Sequence, residues 1–440
     1  MLISDTKLPE SSLAANHLTE VGTRNLLIGM YVYELDCPWS DTPFTPGGFH
    51  LRDTGAIEML QKFCKSVTID TNKGVEPARQ RHNELTILSS ARRKAPSTAA
   101  VKVKRDTYPD THSIKKLIDK TFSAFQQLED AYQLLAQSVR EGISLDLKHL
   151  QKPSAMLIDS IIANPQAAIW ILNTQMQHRT DSSYCVRAAI WATILARQVG
   201  LSRSDMDALL LGTLLSDIGM NLLPERLVNK RGKFRKKEVL AYRKHVDFGL
   251  ELLGQYPDLS ERIMRIVRCH HERHDGLGFP RKLRGDQIPV LARFASLAFS
   301  FERLLRNGCQ SGNISPAKAI ARLYKQRALK FPEQLVVEFI HVMGMYPVGT
   351  VVELSTGELA VVLEQNLNAR LFPRVGLLTD ELRNVLSAAR IADLSQPAKS
   401  EPERSITSSV EPVQHGLDLS QYTFSFSGKR IGLGVVGFRV

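Results

Sequence analysis

The sequence is poor in cysteine and has no long hydrophobic run. Its five cysteines are scattered along 440 residues without any Cys-x-x-Cys pair, so neither a disulfide framework nor a thiolate metal site is expected. No apolar run approaches the roughly 18 residues of a membrane span, and Asp5, Glu10 and Glu20 interrupt the region where a signal peptide would be apolar. These features predict a cytoplasmic protein without a membrane-spanning segment.

Acidic residues are outnumbered by basic ones, which gives a net charge of +12. Much of the excess lies in two stretches, at residues 79–105 and 230–237. Such runs are usually solvated surface or linker, although the second can also attract a phosphate-bearing ligand. Phe234 is the single aromatic residue within the two runs, so nucleic-acid binding is not expected. An RNA-associated protein that uses residues 230–237 is the least favoured alternative.

Hydrophobic periodicity predicts a mainly α protein with β structure at both ends. Apolar residues recur at three- and four-residue steps from Ile114 to Leu135, as on one face of a helix. After Tyr346 the pattern is typical of a β-hairpin followed by a third strand. The predicted organisation is a small N-terminal α+β domain at 1–73, a basic flexible linker at 74–112, a helical domain at 113–345, a C-terminal β extension at 346–392 and a disordered tail with an apolar end at 393–440.

The densest group of metal-ligand side chains runs from His270 to Pro280. It opens with His270-His271-Glu272 and continues into a Gly-rich turn. Imidazole and carboxylate groups suit first-row divalent metals, and two adjacent histidines can serve two neighbouring ions. Gly276 and Gly278 permit backbone conformations that other residues avoid. A single histidine is more often a surface or hydrogen-bonded residue, but the doublet with its turn predicts a site, active or relict.

This block resembles the signature of the HD-GYP family, bacterial phosphodiesterases that hydrolyse cyclic di-GMP. The family hallmark is His-His-Glu-x-x-Asp-Gly-x-Gly-Tyr-Pro, and Phe279 stands here at the Tyr position. Other segments resemble family motifs in the same order, at residues 184–189, 214–220, 244–249 and 288–293. The resemblance implies an HD-type helical bundle. Residues 24–73 resemble the small domain of unknown function that often precedes HD-GYP domains.

The resemblance also implies that much of a metal centre has been lost. Family members hold two or three metals with a Glu-His pair, a His-Asp doublet, further histidines and a late Asp. The ligand positions that survive are Asp217, His245, His270 and His271, and the implied ligand-binding segment consists of Asp275, Gly276, Gly278, Phe279 and Pro280. The family positions that have changed type are Ser183, Tyr184, Ser216, Met220 and Phe299. Met220 replaces a Lys that contacts phosphate in the family.

A complete hydrolytic centre is not expected from this ligand set. Such a centre needs ions about 3.5–4 Å apart, and Tyr and Ser are poor ligands for a divalent metal at neutral pH. Phe299 further suits a dry, repacked pocket. The cofactor prediction is therefore none, with a single Fe, Mn or Zn ion on the four surviving ligands as the alternative.

The sequence favours a degenerate HD-GYP-family protein that works as a non-hydrolytic regulatory or interaction module in cyclic di-GMP signalling. Its expected partners are cyclic di-GMP, a signalling protein or a second copy of the chain. The alternative is an active cyclic di-GMP phosphodiesterase with an altered metal site, which is an enzyme rather than a binding module. The five changed positions favour the first hypothesis.

Overall fold

The computed structural model describes residues 18–39, 42, 44, 47–51, 54–74, 103–174, 183–230, 232–311, 314–366, 369, 371–396, 402–417, 419, 424–426 and 429–431. They fall into two compact units, one within residues 1–100 and one within residues 101–440. Within these ranges, no single helix combines the length and apolar composition needed to cross a bilayer. A pair bent by 113°, Leu147–Ala163 and Pro165–Thr174, meets those limits only when both parts are counted together.

The first unit is a four-stranded antiparallel sheet with one helix. Its elements are β1 (Leu18–Gly22), β2 (Tyr31–Leu35), β3 (Phe49–His50), α1 (Thr54–Phe63) and β4 (Ser66–Asp70), and the strand order is β1-β4-β2-β3. Alternate residues of a strand point to opposite faces, and Val32, Val67 and Ile69 are thereby buried in the core. The predicted small N-terminal domain with β structure is confirmed.

The second unit begins with a helical bundle. Its helices are α2 (Ile114–Glu141), α3 (Gln151–Ala163), α4 (Pro165–Thr174), α5 (Ser183–Val199), α6 (Arg203–Leu215), α7 (Glu225–Val228), α8 (Lys236–Arg243), α9 (His245–Leu253), α10 (Glu261–Cys269), α11 (Val290–Ser311), α12 (Pro316–Tyr324) and α13 (Glu333–Met343). The apolar stripe of α2 is buried, as its periodicity predicts. Helix α5 is buried on almost every side and packs between α6 and α11, which makes it the central helix.

A five-stranded antiparallel sheet follows the bundle. Its strands are β5 (Val351–Leu354), β6 (Leu359–Glu364), β7 (Arg374–Thr379), β8 (Val385–Asp393) and β9 (Ile406–Val410), in the order β8-β7-β6-β5-β9. A separate two-stranded ribbon joins β10 (Phe424–Phe426) to β11 (Lys429–Ile431). The predicted hairpin is present as β5 and β6, but the sheet is larger than the three strands expected.

The prediction of a disordered tail is wrong for residues 402–417. Strand β9 lies there and pairs with β5, and Arg404 forms a buried ion pair with Glu358 at 2.6 Å. The polar composition misled the prediction because a strand added to an existing sheet edge gains its backbone hydrogen bonds whatever its side chains are. The apolar end of the predicted tail, at 432–440, lies outside the described residues.

The prediction of a flexible linker is wrong for residues 103–112, which pack on the bundle. The Lys104 amide donates to the carbonyl of Val199 at 2.9 Å. The Tyr108 hydroxyl donates to the carbonyl of Leu201 at 2.8 Å, and Arg105 forms an ion pair with Glu338 at 2.6 Å. These partners are distant in sequence, so composition alone did not reveal them. Residues 75–102 lie outside the described residues.

Candidate metal centre

Four predicted ligands converge in the helical bundle. Asp217 lies just after the end of α6, at the start of a 3₁₀ helix. His245 is the first residue of α9, and His270 and His271 follow the last residue of α10. One ligand atom from each of the four side chains lies within 4.8 Å of all the others. The structure therefore brings together residues that are up to 54 positions apart in the sequence.

We call Asp217, His245, His270 and His271 the ligand cluster. The Asp217 carboxylate lies at its centre. Its Oδ1 atom lies 3.2 Å from Nε2 of His245, 3.3 Å from Nε2 of His270 and 4.0 Å from Nε2 of His271. The Nε2 atoms of His245 and His271 are 3.1 Å apart. The His245 and His270 side chains are fully buried, whereas those of Asp217 and His271 are 13% and 12% exposed. A ligand would reach the cluster from the side of these two residues.

The hydrogen bonds of two imidazoles fix which nitrogen faces Asp217. His245 Nδ1 donates to the carbonyl of Tyr242 at 2.7 Å, and His270 Nδ1 donates to the carbonyl of Val267 at 2.8 Å. A carbonyl can only accept, so in the neutral rings the proton lies on Nδ1 and the Nε2 lone pair faces the cluster. Backbone carbonyls are common second partners of metal-binding histidines. Both rings are thus oriented as metal ligands.

Two buried ligand atoms have no hydrogen-bond partner within the described part of the chain. They are Oδ1 of Asp217 and Nε2 of His270, which approach each other without hydrogen-bond geometry. An unsatisfied buried polar atom is costly, and a buried carboxylate more so. A cation among the converging lone pairs would satisfy both atoms. The cluster therefore fits a single divalent ion with three nitrogen ligands and one oxygen ligand.

The protonation states of Asp217 and His271 suit metal binding. Burial raises the pKa of Asp217, but His245 and His270 lower it more strongly, and the net pKa lies well below its usual value. Burial and the neighbouring His270 together hold the pKa of His271 well below its usual value. The carboxylate is therefore ionised and His271 is neutral near pH 7, and these are the forms that bind metals.

Two glycines allow the backbone segments of the cluster to approach closely. A Cβ atom on Gly219 would lie 2.1 Å from the His245 carbonyl oxygen and 2.5 Å from the Gly249 nitrogen. The absence of a side chain at Gly219 therefore lets the segment after Asp217 pack against the start of α9. A Cβ on Gly278 would lie 2.5 Å from the Arg273 nitrogen, so this glycine is required for the turn after the histidine doublet.

The loop at residues 275–280 packs against the ligand cluster and contributes no further ligand atom to the cluster found in the described residues. Asp275 forms an ion pair with Arg273 and accepts from the Leu277 amide at 3.0 Å, so its carboxylate is engaged within its own loop. Phe279, which precedes Pro280 across a cis peptide bond, stacks on the His271 ring at 4.3 Å. Gly276 has a φ of +77°. A ligand-binding role for Asp275, Gly276, Gly278, Phe279 and Pro280 stays a prediction.

Glu272 is buried and serves the loop backbone. Its carboxylate accepts from the amides of Arg281 and Leu283 at 2.7 and 2.9 Å. These two bonds connect the histidine doublet to the chain that follows the cis Pro280. Glu272 is therefore a structural residue of the turn, although its residue type suits a metal.

Two aromatic rings lie next to His270 of the cluster. The Phe299 ring centroid lies 5.4 Å from that of His270 and 5.5 Å from that of Tyr184. The Tyr184 hydroxyl donates to the Phe299 carbonyl at 3.1 Å. Ser216 is fully buried and donates to the Gly212 carbonyl of its own helix at 2.6 Å. None of these three belongs to the ligand cluster found among the described residues.

The remaining changed positions, Ser183 and Met220, lie outside the ligand cluster. Ser183 is buried at the start of α5. Met220 is half-buried on the 3₁₀ helix that follows Asp217.

Two arginines near the cluster were missed by the sequence analysis. Arg303 lies one helical turn after Phe299 on α11, is exposed, and interacts with the Tyr184 hydroxyl. Tyr184 is the largest contributor to a raised pKa of the Arg303 guanidinium, and Asp217 contributes in the same direction. Arg243 is also exposed, with its guanidinium carbon 4.7 Å from the Phe279 ring centroid. The four-residue spacing from position 299 to position 303 was the available signal for Arg303.

Comparison with known families gives two matches along the chain. Residues 161–335 match the HD domain, and residues 18–150 match a domain of unknown function, DUF3391. The second match extends beyond the first compact unit and includes α2. Both matches agree with the resemblance noted in the sequence.

Curated relatives come from several bacteria. A cyclic di-GMP phosphodiesterase of Pseudomonas aeruginosa is 26% identical over 387 residues, which are 87% of this chain and 91% of that protein. The cyclic di-GMP phosphodiesterase response regulator RpfG of Xanthomonas campestris is 30% identical over 156 residues, 35% of this chain and 41% of that protein. A 3'3'-cGAMP-specific phosphodiesterase of Vibrio cholerae is 31% identical over 134 residues, 30% of this chain and 25% of that protein.

A solved structure is also similar. It is an HDG"Y"P protein from Bdellovibrio bacteriovorus, with a TM-score of 0.42 and 16% identity, and the alignment covers 73% of this chain and 98% of that one.

Proposed function

We propose that this chain binds a cyclic dinucleotide without hydrolysing it. The premise is that the chain carries an HD domain and is homologous to the HD-GYP cyclic di-GMP phosphodiesterases. Its role would then be that of a regulatory or interaction module. The observation that carries the proposal is the composition of the site. Four ligands suited to one ion lie together, and the rings of Phe299 and Tyr184 follow next to His270.

The ligand cluster would hold the metal through Asp217, His245, His270 and His271. A divalent ion bound there would supply a Lewis-acid contact for a phosphate oxygen. Hydrolysis in two-metal sites depends on a second ion that clamps the attacking and leaving oxygens. On the side of Tyr184 and Phe299, aromatic carbon and a hydroxyl engaged with a backbone carbonyl replace the ligands that such an ion requires.

Positive charge near the cluster supports an anionic ligand. Arg303 and Arg243 are exposed residues, and the partly exposed Asp217 and His271 mark the accessible side of the cluster. A guanidinium can donate two parallel hydrogen bonds to a phosphate group. A cyclic dinucleotide carries two phosphodiesters, so it could contact the metal position through one and an arginine through the other.

The decisive experiment combines elemental analysis, ligand titration and a cleavage assay on the full-length protein. We expect about one Fe, Mn or Zn ion per chain, saturable binding of cyclic di-GMP, and no more product than in a metal-free control. A parallel titration with 3'3'-cGAMP establishes which dinucleotide binds more tightly. Cleavage that is abolished by His270→Ala would instead establish the active phosphodiesterase, and absence of binding to both dinucleotides would refute the sensor.

His270→Ala is predicted to remove the bound metal. The substitution deletes a buried ligand and leaves the Asp217 carboxylate with one fewer partner, so metal affinity should fall at least about a hundredfold. Inductively coupled plasma mass spectrometry of protein dialysed against a fixed metal concentration measures the loss. His149→Ala is the control, because His149 is exposed and pairs with Asp146 at the surface. Equal metal content in both variants would exclude the proposed ligand set.

Arg303→Gln is predicted to weaken cyclic di-GMP binding while leaving the metal in place. A charge-assisted hydrogen bond is worth about 1.5–3 kcal/mol, which corresponds to an affinity loss of about ten- to a hundredfold. Isothermal titration calorimetry at two salt concentrations measures the change. Arg265→Gln is the matched control, since Arg265 lies exposed on α10 and pairs with Glu261. An Arg303→Gln protein that binds as tightly as the control would remove Arg303 from the binding site.

A further inference from the structure

Two of the five cysteines are distant in sequence but lie next to each other in the first compact unit. Cys37 follows β2 and Cys64 lies between α1 and β4. Their Sγ atoms are 3.4 Å apart, whereas the sulfurs of a disulfide are about 2.05 Å apart. A side-chain adjustment of little more than one ångström would therefore bring the sulfurs to bonding distance.

Hydrogen bonds fix the backbone next to both cysteines. The Asp36 carboxylate accepts from the amides of Lys65 and Ser66 at 2.8 and 3.0 Å. The antiparallel strand register places Leu35 opposite Val67, which aligns the segment just before Cys37 with the segment just after Cys64. The Thr23 hydroxyl donates to the carbonyl of Cys64 at 3.2 Å. These bonds keep the thiols adjacent without the help of a covalent link.

The two thiols differ in access. Cys37 is half-buried and open to a small reagent, whereas Cys64 is buried. Burial, followed by the neighbouring Cys37 and Asp36, raises the pKa of the Cys64 thiol. Cys64 therefore stays protonated, and Cys37 is the thiol that an oxidant meets first.

A metal site is the competing interpretation of this group. Asp36, Cys37 and Cys64 each offer one ligand atom within 4.8 Å of the others. A closed structural zinc site has four protein ligands, and this group has three among the described residues. One oxygen of Asp36 already accepts two amide hydrogen bonds. The pair of adjacent thiols therefore suits covalent bonding to each other better than metal binding.

We propose that Cys37 and Cys64 are an oxidation site that forms a reversible intramolecular disulfide with hydrogen peroxide. The Cys37 thiolate attacks one peroxide oxygen, an S–O bond forms as the O–O bond breaks, and the departing hydroxide takes up a proton to become water. Cys64, once deprotonated, then attacks the Cys37 sulfur. The S–S bond forms, the S–O bond breaks, and the leaving hydroxide takes up the proton from Cys64. Two thiols lose two electrons and two protons, and peroxide becomes two waters.

The test treats the full-length protein with hydrogen peroxide, blocks the remaining thiols with N-ethylmaleimide under denaturing conditions, and maps the peptides by mass spectrometry. We expect the number of alkylated cysteines to fall from five to three, with one cross-linked peptide that contains Cys37 and Cys64 and is released by dithiothreitol. Cys37→Ser and, separately, Cys64→Ala should each abolish the cross-link. Cys185→Ser, which removes a buried thiol of the other unit, should leave it unchanged.

Several results would overturn the proposal. One is five alkylated cysteines after peroxide treatment. Another is conversion of Cys37 to sulfinic acid while Cys64 remains alkylated. A third is about one zinc per chain that protects both thiols and is lost from Cys37→Ser but not from His270→Ala, which would make the group a metal site.

Discussion

Gly219→Ala is expected to destabilise the helical unit strongly and to release the bound metal. The added Cβ would lie 2.1 Å from the His245 carbonyl oxygen and 2.5 Å from the Gly249 nitrogen, both of them backbone atoms. Neither can rotate away, so α9 must shift and carry His245 with it. Overpacking that forces a backbone shift costs about 1–3 kcal/mol, and occasionally more. We expect Tm to fall by about 5 °C or more and metal content to fall as in His270→Ala.

Gly249→Ala is the matched control, since it alters the other side of the same contact. A Cβ at Gly249 would meet its nearest neighbours, Gly219 and Ile218, at ordinary distances of 3.5 and 3.6 Å. Because Gly249 lies inside α9, alanine should also favour the helix by about 1 kcal/mol. Tm should be unchanged or slightly higher, and the metal should be retained. If both variants behaved alike, close approach at Gly219 would not explain how His245 is positioned.

Restoring the changed ligand positions is expected to create a second metal site. Tyr184→His, Ser216→His and Phe299→Asp together replace two aromatic rings and a hydroxyl with two imidazoles and a carboxylate. Arg303 interacts with position 184 and carries a positive charge, which opposes a cation there. We therefore combine the triple variant with Arg303→Ala. Metal content should rise from about one to about two ions per chain, and cyclic di-GMP hydrolysis should exceed that of the metal-free control at least about a hundredfold.

The triple variant that keeps Arg303 serves as the comparison, because it tests whether the guanidinium excludes the second ion. Its metal content should stay closer to one ion per chain. Circular dichroism and thermal melting establish that each protein is folded, which matters because Ser216 is fully buried. A folded quadruple variant that binds a single ion and hydrolyses nothing would mean that more than these four positions separates the site from an active one.

Much of the fold was predictable from local patterns. The stripe from Ile114 to Leu135 is one buried face of α2, as its spacing indicates. A regular period is a property of neighbouring residues, and the sequence contains it directly. Strand β9 and residues 103–112 escaped prediction because their order depends on distant partners. Arg404 meets Glu358 and Arg105 meets Glu338 across long stretches of chain.

The candidate site was predictable in its residue types but not in its contacts. Asp217, His245 and the histidine doublet were named from their chemistry and from family resemblance, and the structure places them together. The ion pair of Asp275 with Arg273 within the loop was not predictable from the sequence. Spacing along the chain does not say which way a loop side chain turns.

The sequence by itself determined which chemical groups are available: three imidazoles and one carboxylate suited to a metal, with tyrosine, phenylalanine and serine at positions where the resemblance implies ligands. Tertiary structure alone decided that Oδ1 of Asp217 and Nε2 of His270 face each other without a hydrogen-bond partner in the described residues. It also decided that Cys37 meets Cys64. The physical reason is that residue type fixes what a group can bind, whereas the packing of helices and strands fixes the distances between groups that are far apart along the chain.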